Sequence, residues 1–135
     1  MSQANVEVVE RYFGAVNRGD FAAAMDDYTD DVVLVIDIHA VPTNAGTFTG
    51  RKAVGEWFAD WFRSFARGYR FRIEEVRSVG ERVVLVAHHD GRGRSSGAVL
   101  DWSLGYVFTI NADKIARLEI YSGRAEAFKA VGLEE

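Results

Sequence analysis

The sequence predicts an α+β domain, because helical spacing of apolar residues dominates its first half and two-residue alternation dominates its second. From Tyr69 onward, apolar and polar residues alternate through four successive segments. The breaks between these segments are short and lie at 80–81, 91–97 and 111–113. Short breaks favour antiparallel neighbours, so the four strands should form a meander. Curved around the preceding helices, such a sheet would enclose a cone-shaped cavity.

Length and composition limit the classes of function. The 135 residues fit one domain, and 48% of them are hydrophobic, which is enough for a real core. The sequence has no cysteine, which excludes disulfides, a thiolate nucleophile and a cysteine metal site. A net charge of −4 does not favour nucleic acid as a partner. The first residues do not resemble a signal peptide and no apolar run is long enough to span a bilayer, so we expect a cytoplasmic protein without membrane contact.

Two helices and a strand are predicted in the first 39 residues. Apolar residues recur at helical spacing between Val6 and Val16, which indicates an amphipathic helix. Gly19 suits a left-handed helix end, and Asp20 suits the N-cap of a second, short helix. The β-branched run 32–39 then predicts a strand that is covered on both faces.

The middle of the chain contains the clearest helix, predicted over 51–66. Its apolar side chains form an unbroken stripe at helical spacing: Val54, Trp57, Phe58, Trp61, Phe62 and Phe65. Such a stripe is more often core than ligand contact, although pocket walls use the same residue types. Residues 40–50, just before it, are predicted as an irregular connection of a length that often forms the mouth of a pocket.

Four strands and a terminal helix complete the predicted fold. The strands are expected over 69–78, 82–90, 98–111 and 114–122, followed by a helix over 124–131 that stops at Gly132. Alternation along the strand over 98–111 places one set of side chains on the concave face: Trp102, Leu104, Tyr106, Phe108 and Ile110.

Short segments spread over nearly the whole chain carry a family resemblance. They read VERYF at 9–13, NRGD at 17–20, DDVV at 30–33, TFTGRKAV at 47–54 and RAEAFKAVGL at 124–133. With these segments the sequence resembles the nuclear transport factor 2-like superfamily, in particular its SnoaL-like and ketosteroid-isomerase-like branches. The resemblance implies a cystatin-like, cone-shaped α+β barrel with an apolar pocket between helices and sheet. It also implies a homodimer formed through the outer face of the sheet.

The isomerase branch implies a carboxylate base that moves a proton, and a phenol and a second acid that hold the developing oxyanion. Tyr12 matches the phenol without a gap. Ile36 falls at the position of the base, and Asp37 follows it, so Asp37 faces the pocket only if the strand bulges. Tyr106 stands where the second acid is expected. On this resemblance, the predicted catalytic set is Asp37 as base, with Tyr12 and Tyr106 as oxyanion donors.

Two histidines extend this set. His39 lies two residues after Asp37, on the same side of an extended strand, and is predicted as its acid–base helper. His88 is in step with Val84 and Val86 and is predicted to face inward. The alternatives are a loop histidine at the cavity mouth for His39 and a strand-end aspartate bonded to loop amides or solvent for Asp37. We predict no metal site and no cofactor.

The predicted ligand contacts are large side chains, most of them aromatic: Tyr28, Trp57, Trp61, His88, Trp102 and Phe108. Many aromatic groups and few polar ones predict a pocket for a small, mostly apolar, polyketide- or steroid-like molecule. In its catalytic form, this site performs proton transfer of the isomerase, cyclase or hydratase type. The alternative is a non-catalytic binding or dimeric assembly module, which predicts a solvated or capped Asp37 and a narrow or filled cavity.

Overall fold

The computed structural model describes residues 2–41, 45–65 and 69–133. These ranges contain four helices and six strands. In chain order they are α1 (Ser2–Asn17), α2 (Phe21–Asp26), β1 (Tyr28–Ile36), β2 (Gly46–Thr49), α3 (Arg51–Arg63), β3 (Arg70–Val79), β4 (Arg82–Arg92), β5 (Val99–Asn111), β6 (Lys114–Tyr121) and α4 (Arg124–Ala130). The predicted α+β class is confirmed.

The strands form one sheet in the order β2-β1-β6-β5-β4-β3. The predicted meander is confirmed, since β3 to β6 pair antiparallel with their neighbours along the chain. Strand β1 pairs in parallel with β6 and antiparallel with β2. The sheet is curved and unclosed, with β2 and β3 at its edges, so the cone is half of a barrel and its helices supply the other wall.

Two elements differ from the predicted ones. Strand β1 begins at Tyr28, earlier than expected, because Tyr28 already pairs with Ile115 of β6. The segment predicted as irregular contains β2, whose backbone pairs with β1 from Val33 to Ile36. Helix α3 ends at Arg63, with Ser64 as its C-cap, so it is shorter than the predicted 51–66; residues 42–44 and 66–68 lie outside the described ranges.

The predicted helix boundaries are set by local chemistry. Gly19 ends α1 with a φ of 76°, which glycine adopts without a Cβ penalty. The Asp20 side chain accepts a hydrogen bond from the Ala23 main-chain nitrogen at 3.1 Å and caps α2. These two neighbouring residues turn the chain sharply, so α2 packs beside α1. Within the described part of the chain, no helix has the length and apolar character to cross a membrane.

The sheet is covered on both faces. The main core lies between the concave face and α1 to α3, and a second cluster forms under α4 with Val84, Val86, Val107, Ala127, Phe128 and Val131. Helix α4 approaches very closely at Gly105. A Cβ there would lie 2.4 Å from the Gly123 carbonyl oxygen, so only glycine fits. Because α4 covers the outer face of the sheet, both faces of β4 are buried, and its sequence is apolar on both.

Candidate functional site

A cavity of about 620 Å³ opens between α1, α2 and α3. Its walls are mostly apolar: Val16 from α1, Phe21, Ala24 and Met25 from α2, and Gly55, Phe58, Ala59 and Phe62 from α3. Charged side chains also line it: Arg51, Lys52, Glu56, Arg63 and Arg94. The volume suits a drug-sized molecule, and such walls favour an apolar one.

Tyr12 of α1 and Tyr28 of β1 form the inner end of this cavity. Both side chains are buried, and their hydroxyl groups hydrogen-bond to each other. Burial raises the pKa of each phenol above its ordinary value, so both stay neutral. The two hydroxyl hydrogens share one contact, which leaves one of them available to donate to a ligand oxygen.

Behind Tyr12 the cone is largely filled by aromatic rings. Two voids of about 10 Å³ each remain there, each about the space that one water needs. Tyr12 borders the outer void, and Tyr106 borders both. Phe58 and Phe71 also border both voids. The deep part of the cone therefore has no room for a ligand in this arrangement, and the binding space lies nearer the helices.

A chain of hydrogen bonds runs through this filled region. The Trp61 Nε1 donates to the Tyr69 hydroxyl at 3.0 Å, and that hydroxyl lies 2.5 Å from His89 Nδ1. His89 Nε2 lies 2.7 Å from the Tyr106 hydroxyl. Burial, assisted by the charge of His88, lowers the pKa of His89 to about 3, so its imidazole is neutral.

This chain has one hydrogen more than it has contacts. The indole, the two phenols and the neutral imidazole supply four hydrogens for three contacts. If Tyr69 donates to Nδ1, then Nε2 donates to Tyr106 and the Tyr106 hydrogen is left over. In the other tautomer, the Tyr69 hydrogen is left over. Either way a phenol donor remains inside the aromatic region.

The prediction that His88 faces inward is wrong, because His89 takes that place. Val84 and Val86, with which His88 is in step, face the cluster under α4. His88 therefore lies on the outer face, where its Nε2 is 2.6 Å from Asp101 Oδ1 and 3.3 Å from Asp90 Oδ1.

Asp37 does not join Tyr12 and Tyr106. The pairing of β1 is regular from Val33 to Ile36, and its bulge lies before Val33, so Ile36 is the buried, inward side chain. Asp37 follows the strand and borders none of the three cavities described here. Its main-chain nitrogen donates to the Ile120 carbonyl at 3.0 Å, and its carboxylate has no hydrogen bond within the described residues. The predicted catalytic set of Asp37, Tyr12 and Tyr106 is therefore not brought together. His39, predicted as the helper of Asp37, is exposed in the turn after β1.

Asp37 instead lies near Tyr121, on the opposite face. Tyr121 packs against the cluster under α4. Burial raises the pKa of Tyr121 to about 12, with further contributions from Glu119 and, more weakly, Asp37. Asp37 is half-buried and its carboxylate has no hydrogen bond to the described residues, which fits the alternative of a strand-end aspartate bonded to solvent.

The other predicted contacts lie deeper than the cavity, except for Tyr28. Trp57 and Trp61 stack with centroids 5.6 Å apart and border the inner void. Trp61 is also the first donor of the hydrogen-bond chain. Trp102 stacks on His89 at 5.6 Å. Phe108 is fully buried in the core. These side chains shape and fill the cone rather than line the main cavity.

Several residues at or near the site are absent from the predicted ligand contacts. Met25 and Phe21 could have been predicted, because they share one face of α2. Arg94 and His89 could not, because the first comes from a polar connection and the second from a strand with two apolar faces.

A family model described as a SnoaL-like domain matches residues 9–118. Among curated proteins, no sequence matches the chain.

Solved structures show the same fold. The chain is similar to a candidate polyketide cyclase from Sinorhizobium meliloti, at 25% identity and a TM-score of 0.68, over 84% of this chain and 93% of that one. A candidate SnoaL-like polyketide cyclase from Jannaschia sp. CCS1 is 20% identical, with a TM-score of 0.77, over 89% and 85%. A protein of ketosteroid isomerase-like fold from Catenulispora acidiphila, in complex with trimethylamine, is 18% identical, with a TM-score of 0.74, over 94% and 93%. The fold implied by the sequence resemblance is confirmed.

Proposed function

Because the chain belongs to the SnoaL-like domain family, we propose that it binds a small, mostly apolar molecule in the cavity between α1, α2 and α3. The observation that carries the proposal is the cavity of about 620 Å³, which has apolar walls and one free phenol hydrogen at its inner end. A polyketide- or steroid-like ligand with a carbonyl or hydroxyl oxygen would place that oxygen at Tyr12 and Tyr28. The polar contact would fix the orientation, and the walls would supply most of the affinity.

Binding without proton transfer is the form we favour, because the cavity offers no carboxylate at its inner end. Glu56 is the single carboxylate among its described lining residues, and it is exposed and paired with Lys52 at 2.5 Å. The neutral phenols could stabilise an enolate, as an isomerase or cyclase requires, but they are poor bases. An unsaturated cyclic ketone incubated with the protein in heavy water separates the two forms. Catalysed deuterium uptake at the carbon next to the carbonyl would show that the protein catalyses proton transfer.

Replacing Ala59 by tryptophan should weaken binding, because this residue lines the cavity and the indole would occupy part of the space for the ligand. With methyl anthracene-2-carboxylate as a neutral fluorescent ligand, we expect the affinity to fall by about tenfold or more, which is about 1.4 kcal/mol. Ala22→Trp is the matched control, since Ala22 is exposed on α2 and does not line the cavity. Equal affinities of the two variants would contradict the location of the site.

The homodimer through the outer sheet face stays a prediction. The outer surface beyond α4 carries polar groups such as His88, Ser103 and Glu74, which are linked by hydrogen bonds and short contacts. Light scattering should give twice the chain mass of 15.0 kDa. A mass equal to that of one chain at micromolar concentration would reject the dimer.

A further inference from the structure

The charged residues that line the cavity are mostly cationic. Four of the described ones are basic, namely Arg51, Lys52, Arg63 and Arg94, while Glu56 is acidic. This excess contrasts with the net charge of −4 for the whole chain. A cationic lining next to apolar walls favours a ligand that has an apolar body and a negative group.

Three of the four cations are already engaged. Arg51 donates to the Tyr28 carbonyl through Nη2 at 2.6 Å and lies 3.4 Å from Asp30. Lys52 pairs with Glu56 one turn along α3.

Arg63 pairs with Asp60 in the same way, at the other end of α3. A ligand anion would have to compete with these carboxylates.

Arg94 differs from the other three. Its main-chain nitrogen donates to the Ser64 carbonyl at 2.8 Å, and its Nε donates to the Arg63 carbonyl at 3.0 Å. The first bond holds the backbone and the second holds the side chain against the end of α3. Its two terminal nitrogens have no hydrogen-bond or ion-pair partner within the described residues. The free edge of the guanidinium group therefore presents two parallel donors at the cavity.

We propose that the cavity binds apolar carboxylic acids as carboxylates, and that Arg94 is the residue that recognises the carboxylate. Two parallel N–H donors match the two oxygens of a carboxylate, and a guanidinium makes this contact where an ammonium cannot. The apolar body of the acid lies against Phe21, Met25 and Phe62. A carboxyl group near its ordinary pKa is ionised at neutral pH, so the charged form is the one that binds. This inference rests on the proposed function and adds the chemical class of the ligand.

The test compares anthracene-2-carboxylate with its methyl ester, which has the same ring system and no charge. We expect the acid to bind about tenfold more tightly than the ester, and Arg94→Gln to remove this preference by weakening only the acid. Arg92→Gln is the matched control, because Arg92 is exposed at the end of β4, two residues before Arg94, and does not line the cavity. It should leave both affinities unchanged. Added salt should weaken the acid more than the ester.

The outcomes separate this inference from the proposed function. If the acid and ester bind equally to the unmodified protein, the ligand class is wrong while the binding function holds. If neither binds, the proposed function fails. If Arg94→Gln keeps the full preference for the acid, or if Arg92→Gln loses it equally, Arg94 is not the recognition residue. Circular dichroism of each variant establishes that it is folded before affinities are compared.

Discussion

Replacing Phe108 by alanine is expected to lower the free energy of unfolding by about 3–5 kcal/mol. Phe108 is fully buried at the centre of the main core. Its ring meets Tyr12 and Phe13 edge-on at 5.9 and 5.8 Å and lies nearly parallel to Tyr106 at 6.1 Å. Alanine would lose these contacts and leave a cavity that three large rings cannot easily fill. Urea denaturation followed by far-ultraviolet circular dichroism measures the loss.

Phe21→Ala is the control for this substitution. Phe21 is 46% exposed on α2 and stacks on Phe62 beside the cavity. We expect it to cost about 1 kcal/mol or less. If Phe108→Ala costs no more than this, the core does not depend on Phe108 as described.

A second substitution separates packing from ligand contact at the same position. The sequence assigns Phe108 to the ligand, whereas the structure places it in the core, behind Tyr12. Phe108→Leu retains most of the apolar volume and should stay folded. Its affinity for methyl anthracene-2-carboxylate should match that of the unmodified protein. A clear loss of affinity in this folded variant would show that Phe108 contacts the ligand.

Acidification is expected to destabilise the fold through His89. Burial lowers its pKa in the folded protein from 6.5 to about 3, so the unfolded chain takes up the proton more readily. Stability from this residue is complete above the unfolded pKa of 6.5 and is lost as the pH falls toward 3. At about pH 5 the loss attributable to His89 should be about 2 kcal/mol.

The measurement compares unfolding free energies of the unmodified protein and of His89→Gln between about pH 8 and pH 5. The glutamine amide retains one donor and one acceptor but does not titrate. Its stability should therefore fall less steeply with acid, although it starts lower. His39→Gln, on an exposed turn, should follow the unmodified protein. Parallel curves for His89→Gln and the unmodified protein would show that folding does not lower the pKa of His89.

The fold was largely predictable because its signals are local. The stripe on α3, the glycine at 19 and the cap at 20 each depend on a few neighbouring residues, and the meander depends on short breaks. Strand β1 was placed too late because Asp30 and Asp31 indicate a turn, yet both are exposed within the strand, where carboxylates remain hydrated. Its parallel pairing with β6 has no local signal at all.

The site was less predictable because it depends on which face a strand presents. Tyr12 borders the cavity, and its orientation could be predicted because a helix carries its side chains in a fixed order around its axis. His88 and His89 could not be told apart, because both faces of β4 are apolar and α4 covers the outer one. The predicted orientation of Asp37 required a bulge just before it, whereas the bulge in β1 lies earlier, before Val33. Arg94 reaches the cavity through contacts with α3 that its own segment does not encode.

The parallel pairing of β1 with β6 also governs the order in which this protein can fold. Strands β3 to β6 join neighbours across short turns, whereas β1 meets β6 only after the 77 residues from 37 to 113 have been brought back as a loop. Closing so long a loop is entropically slow compared with forming a hairpin. Tyr28 lies on β1, while Arg94 lies in the connection between β4 and β5, so the finished cavity exists only after this last docking. The rate at which ligand binding recovers during refolding should therefore report the pairing of β1 with β6. This recovery should follow the return of most of the far-ultraviolet circular dichroism signal.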